Sequence, residues 1–140
     1  MFLKDRNESR AFFCNTWKKY KNGLPLEPVE ALISDIILKH PEYHKHLVLE
    51  KSFENTNFDI ENNDTNPFLH MGMHIALEEQ ISSDRPSGIA AIYRQLILKF
   101  NSAHDVQHKM MECLGIFLWE AHSKKILPDE NKYIECLKKI

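Results

Sequence analysis

Glycine is scarce in this chain, with four in 140 residues, and runs of alternating polar and β-branched residues are few. Both shortages argue against a fold built from strands and tight hairpins. No apolar run approaches the roughly 20 residues needed to span a bilayer, so a membrane protein of the helical type is not expected. Neither sign of charge dominates: 18 Lys and Arg face 20 Asp and Glu, interspersed along the chain. That balance leaves no electrostatic footprint for nucleic acid or an anionic membrane surface. The three cysteines, Cys14, Cys113 and Cys136, form no CxxC motif and leave an odd thiol. A reducing cytoplasm is therefore the expected home. The first eight residues, Met-Phe-Leu-Lys-Asp-Arg-Asn-Glu, mix acid and base and lack the pattern of a signal peptide.

What the chain does contain is helix signal. Its length suits one domain with a true core, so residues 1–140 are expected to form a single helical bundle. Six helical segments can be placed. The first spans about 5–21, with Phe12, Phe13, Thr16, Trp17 and Tyr20 at helical spacing, and Asn22-Gly23 stops it. Pro25 and Pro28 open the second, whose stripe is Val29, Leu32, Ile33, Ile36 and Ile37. It ends near His40 because a residue before proline is pushed out of the helical region. Residues at about 45–65, rich in Asn and Asp, are expected to be a surface loop. Asn66-Pro67 starts a third helix, and Ser83-Asp84-Arg85-Pro86 leads into a fourth, with Ile89, Ile92, Tyr93, Leu96 and Ile97 as its inner face. Ser102 and Asp105 resemble a capping box at the head of a fifth, reaching about Lys124. Pro128-Asp129 begins a short sixth, docked by Tyr133, Ile134 and Leu137. The fold class is all-α, with five to six helices around an up-down core.

Chemistry-bearing residues concentrate in two matched ladders. The third helix carries His70, His74 and Glu78; the fifth carries His104, His108 and Glu112. Each is His-x3-His-x3-Glu, and a spacing of four places neighbours one turn apart, about 6 Å between Cβ atoms, so two imidazoles can reach one ion. Residues eight apart rise roughly 12 Å and rotate roughly 80°, so no single ion takes all three members of a ladder. His70 and His74 continue an apolar stripe with Leu77 and Ile81, and His104 and His108 continue one with Met111, Gly115 and Leu118. These are core positions. Short connections favour parallel third and fifth helices, with His70 level with His104, His74 with His108, and Glu78 with Glu112. The second helix would deliver His40 and His44, from His40-Pro-Glu-Tyr-His44, to the same end of the bundle. The preferred ligands are His70, His74, His104 and His108, with His44, Glu78 and Glu112 as candidates for the remaining positions, and zinc or iron as the divalent ion.

Two rivals stand beside this. The histidines of such pairs can form a hydrogen-bonded polar layer in a non-catalytic interaction module that binds a protein partner or a second copy of the chain. Alternatively, because the histidines lie in the first turns of their helices, an anion could bind at those N-termini, although no glycine-rich loop cradles it. His46 and His122 are isolated. Trp17, Trp119, Phe12, Phe13 and Phe117 fit a core, and Cys113 fits apolar packing. No nucleophile motif specifies a reaction, so whether the protein is an enzyme stays open.

Several runs carry a resemblance: Phe12-Phe13 with Trp17 and Tyr20, His40-Pro-Glu-Tyr-His44, Asn66-Pro-Phe-Leu-His70, Gly88-Ile89 with Ile92-Tyr93, His108-Lys-Met-Met-Glu-Cys-Leu114, and Asp129-Glu130 with Tyr133. Together they resemble the domain-of-unknown-function family 1841, over nearly the whole chain apart from the loop. The resemblance implies a small bacterial cytoplasmic protein and supplies no activity. In pattern alone, the His-x3-His pairs are similar to those of hemerythrin-like and DinB-like helical-bundle metalloproteins. A hemerythrin-type di-iron centre needs carboxylates between its metals, whereas Glu78 and Glu112 stand at the ends of their ladders. A mononuclear, histidine-rich site fits this chain better.

Overall fold

Prolines and chain-reversing residues set most of the boundaries in the computed structural model, which describes residues 6–47, 67–125 and 127–140. The elements are α1 (Arg6–Lys21), α2 (Pro28–Leu38), a 3-10 helix (Pro41–His46), α3 (Pro67–Ser83), α4 (Ile89–Phe100), α5 (Ala103–Lys124) and α6 (Glu130–Lys138). No strand occurs among the described residues, and the fold is all-α as expected. The expected surface loop lies outside the described residues from position 48 onward, as does Asn66, the expected cap of α3. The chain divides into two compact units, Met1–Ile75 and Ala76–Ile140, with the division inside α3.

In the first unit, α1 ends as its sequence predicts. Gly23 adopts φ +68°, a left-handed conformation open to glycine, and the N–H groups of Gly23 and Leu24 donate to Tyr20 and Lys19 at 3.1 and 3.0 Å. Pro28 opens α2, and Glu30 reaches back to the Glu27 N–H at 2.9 Å. The other oxygen of Glu30 meets the Lys19 ammonium at 2.9 Å and ties α2 to α1. That backbone N–H, and then Lys19, hold the Glu30 carboxyl below its usual range. The core between these helices and the start of α3 consists of Phe13, Cys14, Trp17, Ile33, Ile36, Ile37, Leu47, Phe68, Met71 and Ile75. It also takes in Arg10, 1% exposed, whose guanidinium stands 5.1 Å over the Phe68 ring. A cation on an aromatic face retains part of the stabilisation it loses by leaving water.

In the second unit, the Ser83–Pro86 turn leads into α4 as expected, and Asp84 binds the N–H groups at the start of that helix. Its Oδ1 accepts from the N–H groups of Gly88 and Ala90, both at 3.1 Å. Ser102 accepts from the Asp105 N–H at 3.2 Å and starts α5. Asp129 accepts from Asn131 and Lys132 at 3.1 and 3.2 Å and starts α6. Tyr133 and Leu137 dock α6, and the Tyr133 hydroxyl donates to Gln80 Oε1 at 2.6 Å.

Two expectations are corrected here. Trp119 is 66% exposed and Leu118 48% exposed, not core. The cause is register. Cys113 and Phe117, one turn apart, face α6, where Phe117 stacks on Tyr133 at 4.6 Å; Trp119 lies roughly 200° from Phe117 around the helix and Leu118 roughly 100°. Cys113 is not merely packing either: it is disulfide-bonded to Cys136, 23 residues on, leaving buried Cys14 as the free thiol. The inference from unpaired cysteines to a reducing compartment loses its premise for two of the three.

Candidate metal centre

His40 follows the end of α2 because Pro41 forces it out of the helical region (φ −129°, ψ 65°). The residues that follow tighten into the 3-10 helix, starting with the Tyr43 N–H donating to the His40 carbonyl at 2.9 Å. The turn folds the His40 ring inward, leaving it 2% exposed, with Tyr43 stacked on it at 5.1 Å between centroids and 5° between planes. His40 Nδ1 lies 2.8 Å from the Ile36 carbonyl oxygen. A carbonyl only accepts, so Nδ1 carries the proton, and in a neutral ring the lone pair then sits on Nε2.

That Nε2 faces α3. It lies 3.1 Å from His70 Nε2. The rings of His40, His70 and His74 form a triangle, with centroids 4.8 Å apart for 40–70 and 4.9 Å for both 40–74 and 70–74. His70 and His74 are one turn apart, as their spacing requires, with His74 buried and His70 half-buried. Tyr43 also meets His70 edge-on at 5.8 Å.

In the second unit His104 and His108 form the other expected pair. Their centroids are 4.1 Å apart at 61°, both half-buried at the head of α5. His108 also lines a surface cleft with Phe100, Asp105, Lys109 and Glu112.

Of the three further candidates, His44 and Glu78 have other partners and Glu112 is exposed. His44 Nε2 donates to the Ile37 carbonyl at 3.0 Å, and its ring lies 4.5 Å from that of Trp17. It fastens the 3-10 helix onto α1 and α2. Glu78 accepts from Gln107 Nε2. Gln107 also bonds Tyr93, whose hydroxyl burial, chiefly, and the Glu78 charge push to a higher pKa. Glu112 is exposed on the rim of the cleft beside His108. Gln107 thus takes the place beside Glu78 that the level pairing assigned to Glu112.

His40, which the expected ligand set leaves out, stands beside His70 and His74. The signal was present: a histidine directly before proline at a helix end is turned off the helix, and the apolar stripe at Ile33, Ile36 and Ile37 points the same way. What the sequence did not specify is that its ring meets α3 while that of His44 meets Trp17.

Among the described residues, no helix is long and apolar enough to cross a membrane. No curated protein and no solved structure matches this chain. A family model does: the one described as Domain of unknown function (DUF1841) matches residues 5–139, nearly the whole chain. The chain belongs to that family.

Proposed function

We propose that this protein binds one divalent metal ion through histidines, with His40 joining His70, His74, His104 and His108 as the ligand pool. The observation that carries the reading is the state of His40. Its Nδ1–H is anchored to the Ile36 carbonyl, which fixes ring and tautomer, and its Nε2 lone pair faces another imidazole nitrogen 3.1 Å away in a buried setting. Metal-ligating histidines typically anchor the second ring nitrogen in this way. Two nitrogens on one tetrahedral zinc, each at about 2.0–2.1 Å, are separated by about 3.3 Å, close to the spacing found.

Further support comes from the pairs within each unit: the rings of His40 and His74 stand 4.9 Å apart in the first, and those of His104 and His108 stand 4.1 Å apart in the second. An all-imidazole donor set accepts zinc or iron. With every position filled by protein the ion is structural; with one left open it supplies Lewis-acid chemistry. The bacterial, cytoplasmic setting, the single-domain organisation and a protein or self partner in place of nucleic acid remain part of this proposal.

Protein purified without a histidine tag or chelating resin should contain close to one ion per chain by elemental analysis. His74→Ala combined with His108→Ala should abolish that content while circular dichroism stays helical. Metal undiminished in a folded double variant would overturn the ligand assignment. A second reading, a metal-free polar layer in an interaction module, is favoured by the two hydrogen-bonding contacts of His40. On that reading the native protein carries no stoichiometric metal.

A further inference from the structure

A different pair of side chains, outside the histidines, presents a reactive bond to solvent. Cys113 on α5 and Cys136 on α6 are joined, and the bond lines a cleft of about 70 Å³ with Ile116, Phe117, Glu120, Asp129, Lys132 and Tyr133. Cys113 is 5% exposed, whereas Cys136 is only half-buried. A nucleophile entering the cleft therefore meets Cys136 first. Lys132, on the cleft wall, precedes Cys136 by one turn on the same face of α6, and its ammonium draws an incoming thiolate toward Cys136. Glu120 and Asp129 are the two carboxylates on the cleft wall. With one cation against two anions, the cleft has a net negative charge.

We propose that Cys136 is a modification site for small cationic thiols, taken up by exchange with the Cys113–Cys136 disulfide. An aminothiol, as its thiolate, attacks Cys136 Sγ. The Cys113–Cys136 bond breaks, a mixed disulfide forms on Cys136, and the electron pair leaves on Cys113 Sγ, which takes a proton from solvent. A second aminothiol attacks the sulfur of the first, releasing the oxidised aminothiol disulfide and leaving Cys136 as a thiol. Tyr133 and Leu137, both buried, keep α6 docked throughout, so the exchange proceeds in the folded protein. Disulfides in reducing compartments are characteristically transient or redox-sensing, which reconciles this bond with the cytoplasmic setting proposed above.

The test compares cysteamine with 2-mercaptoethanesulfonate on the folded, oxidised protein, with acid quenching and peptide mass mapping, and rates normalised to thiolate concentration. The adduct is expected on the Cys136 peptide. The cationic thiol should react about fivefold faster at low ionic strength, and the advantage should fade in about 0.5 M salt. Glu120→Gln should shrink the advantage with the fold unchanged. Equal normalised rates, an adduct confined to Cys113, or reaction only after unfolding would each overturn the proposal.

Discussion

Replacing His40 and His44 in parallel separates ligation from packing. His44→Ala removes the Nε2–H bond to Ile37 and the 4.5 Å contact with Trp17. A net hydrogen bond contributes about 1 kcal/mol and an aromatic contact about the same, so the loss is about 2 kcal/mol. For a 140-residue chain unfolding in one transition, the entropy is about 290 cal/mol/K, and the melting temperature should fall by about 7 °C. Zinc at a hundred times its Kd should raise the melting temperature by about 9 °C, from about 2.7 kcal/mol of linked binding, and His44→Ala should keep that rise. His40→Phe retains the ring that stacks on Tyr43 but has no nitrogen. If its loss weakens binding about 100-fold, the same zinc concentration leaves about 0.4 kcal/mol, a rise of about 1 °C. Differential scanning calorimetry with and without zinc reads both numbers. A zinc-dependent rise that survives His40→Phe, or disappears in His44→Ala, refutes the assignment.

Other outcomes concern the second unit. Tyr133→Phe strands the Gln80 Oε1 acceptor and should destabilise by about 1–2 kcal/mol, seen as a lower urea midpoint at unchanged m-value. Asp129→Ala leaves the N–H groups of Asn131 and Lys132 uncapped and should cost about 1 kcal/mol, with loss of helical signal at 222 nm near the midpoint. Cys113→Ser opens a closure of 23 residues, for which chain entropy gives about 3 kcal/mol. The midpoint gap between variant and native protein should vanish when both are measured under reducing conditions.

Periodicity and punctuation alone were enough to place the helices. The positions of Pro28, Pro67, Ser102 and Asp129 coincide with helix starts, and Gly23 with a stop, because caps and prolines act through local backbone geometry that neighbouring residues already specify. The same locality made the His70–His74 and His104–His108 pairs legible, since a spacing of four fixes a shared face on any α-helix. Three outcomes lay beyond it. His40 and His44 follow α2 in one short run, and only the 3-10 helix after Pro41 sent one ring to α3 and the other to Trp17. Trp119 lies on solvent because short α6 covers a different face of α5. Cys113 and Cys136 are bonded because docking α6 on α5 brings together residues whose separation along the chain carries no distance information. Local rules determine which residues share a helix face; which face meets which neighbour is decided by how the helices pack.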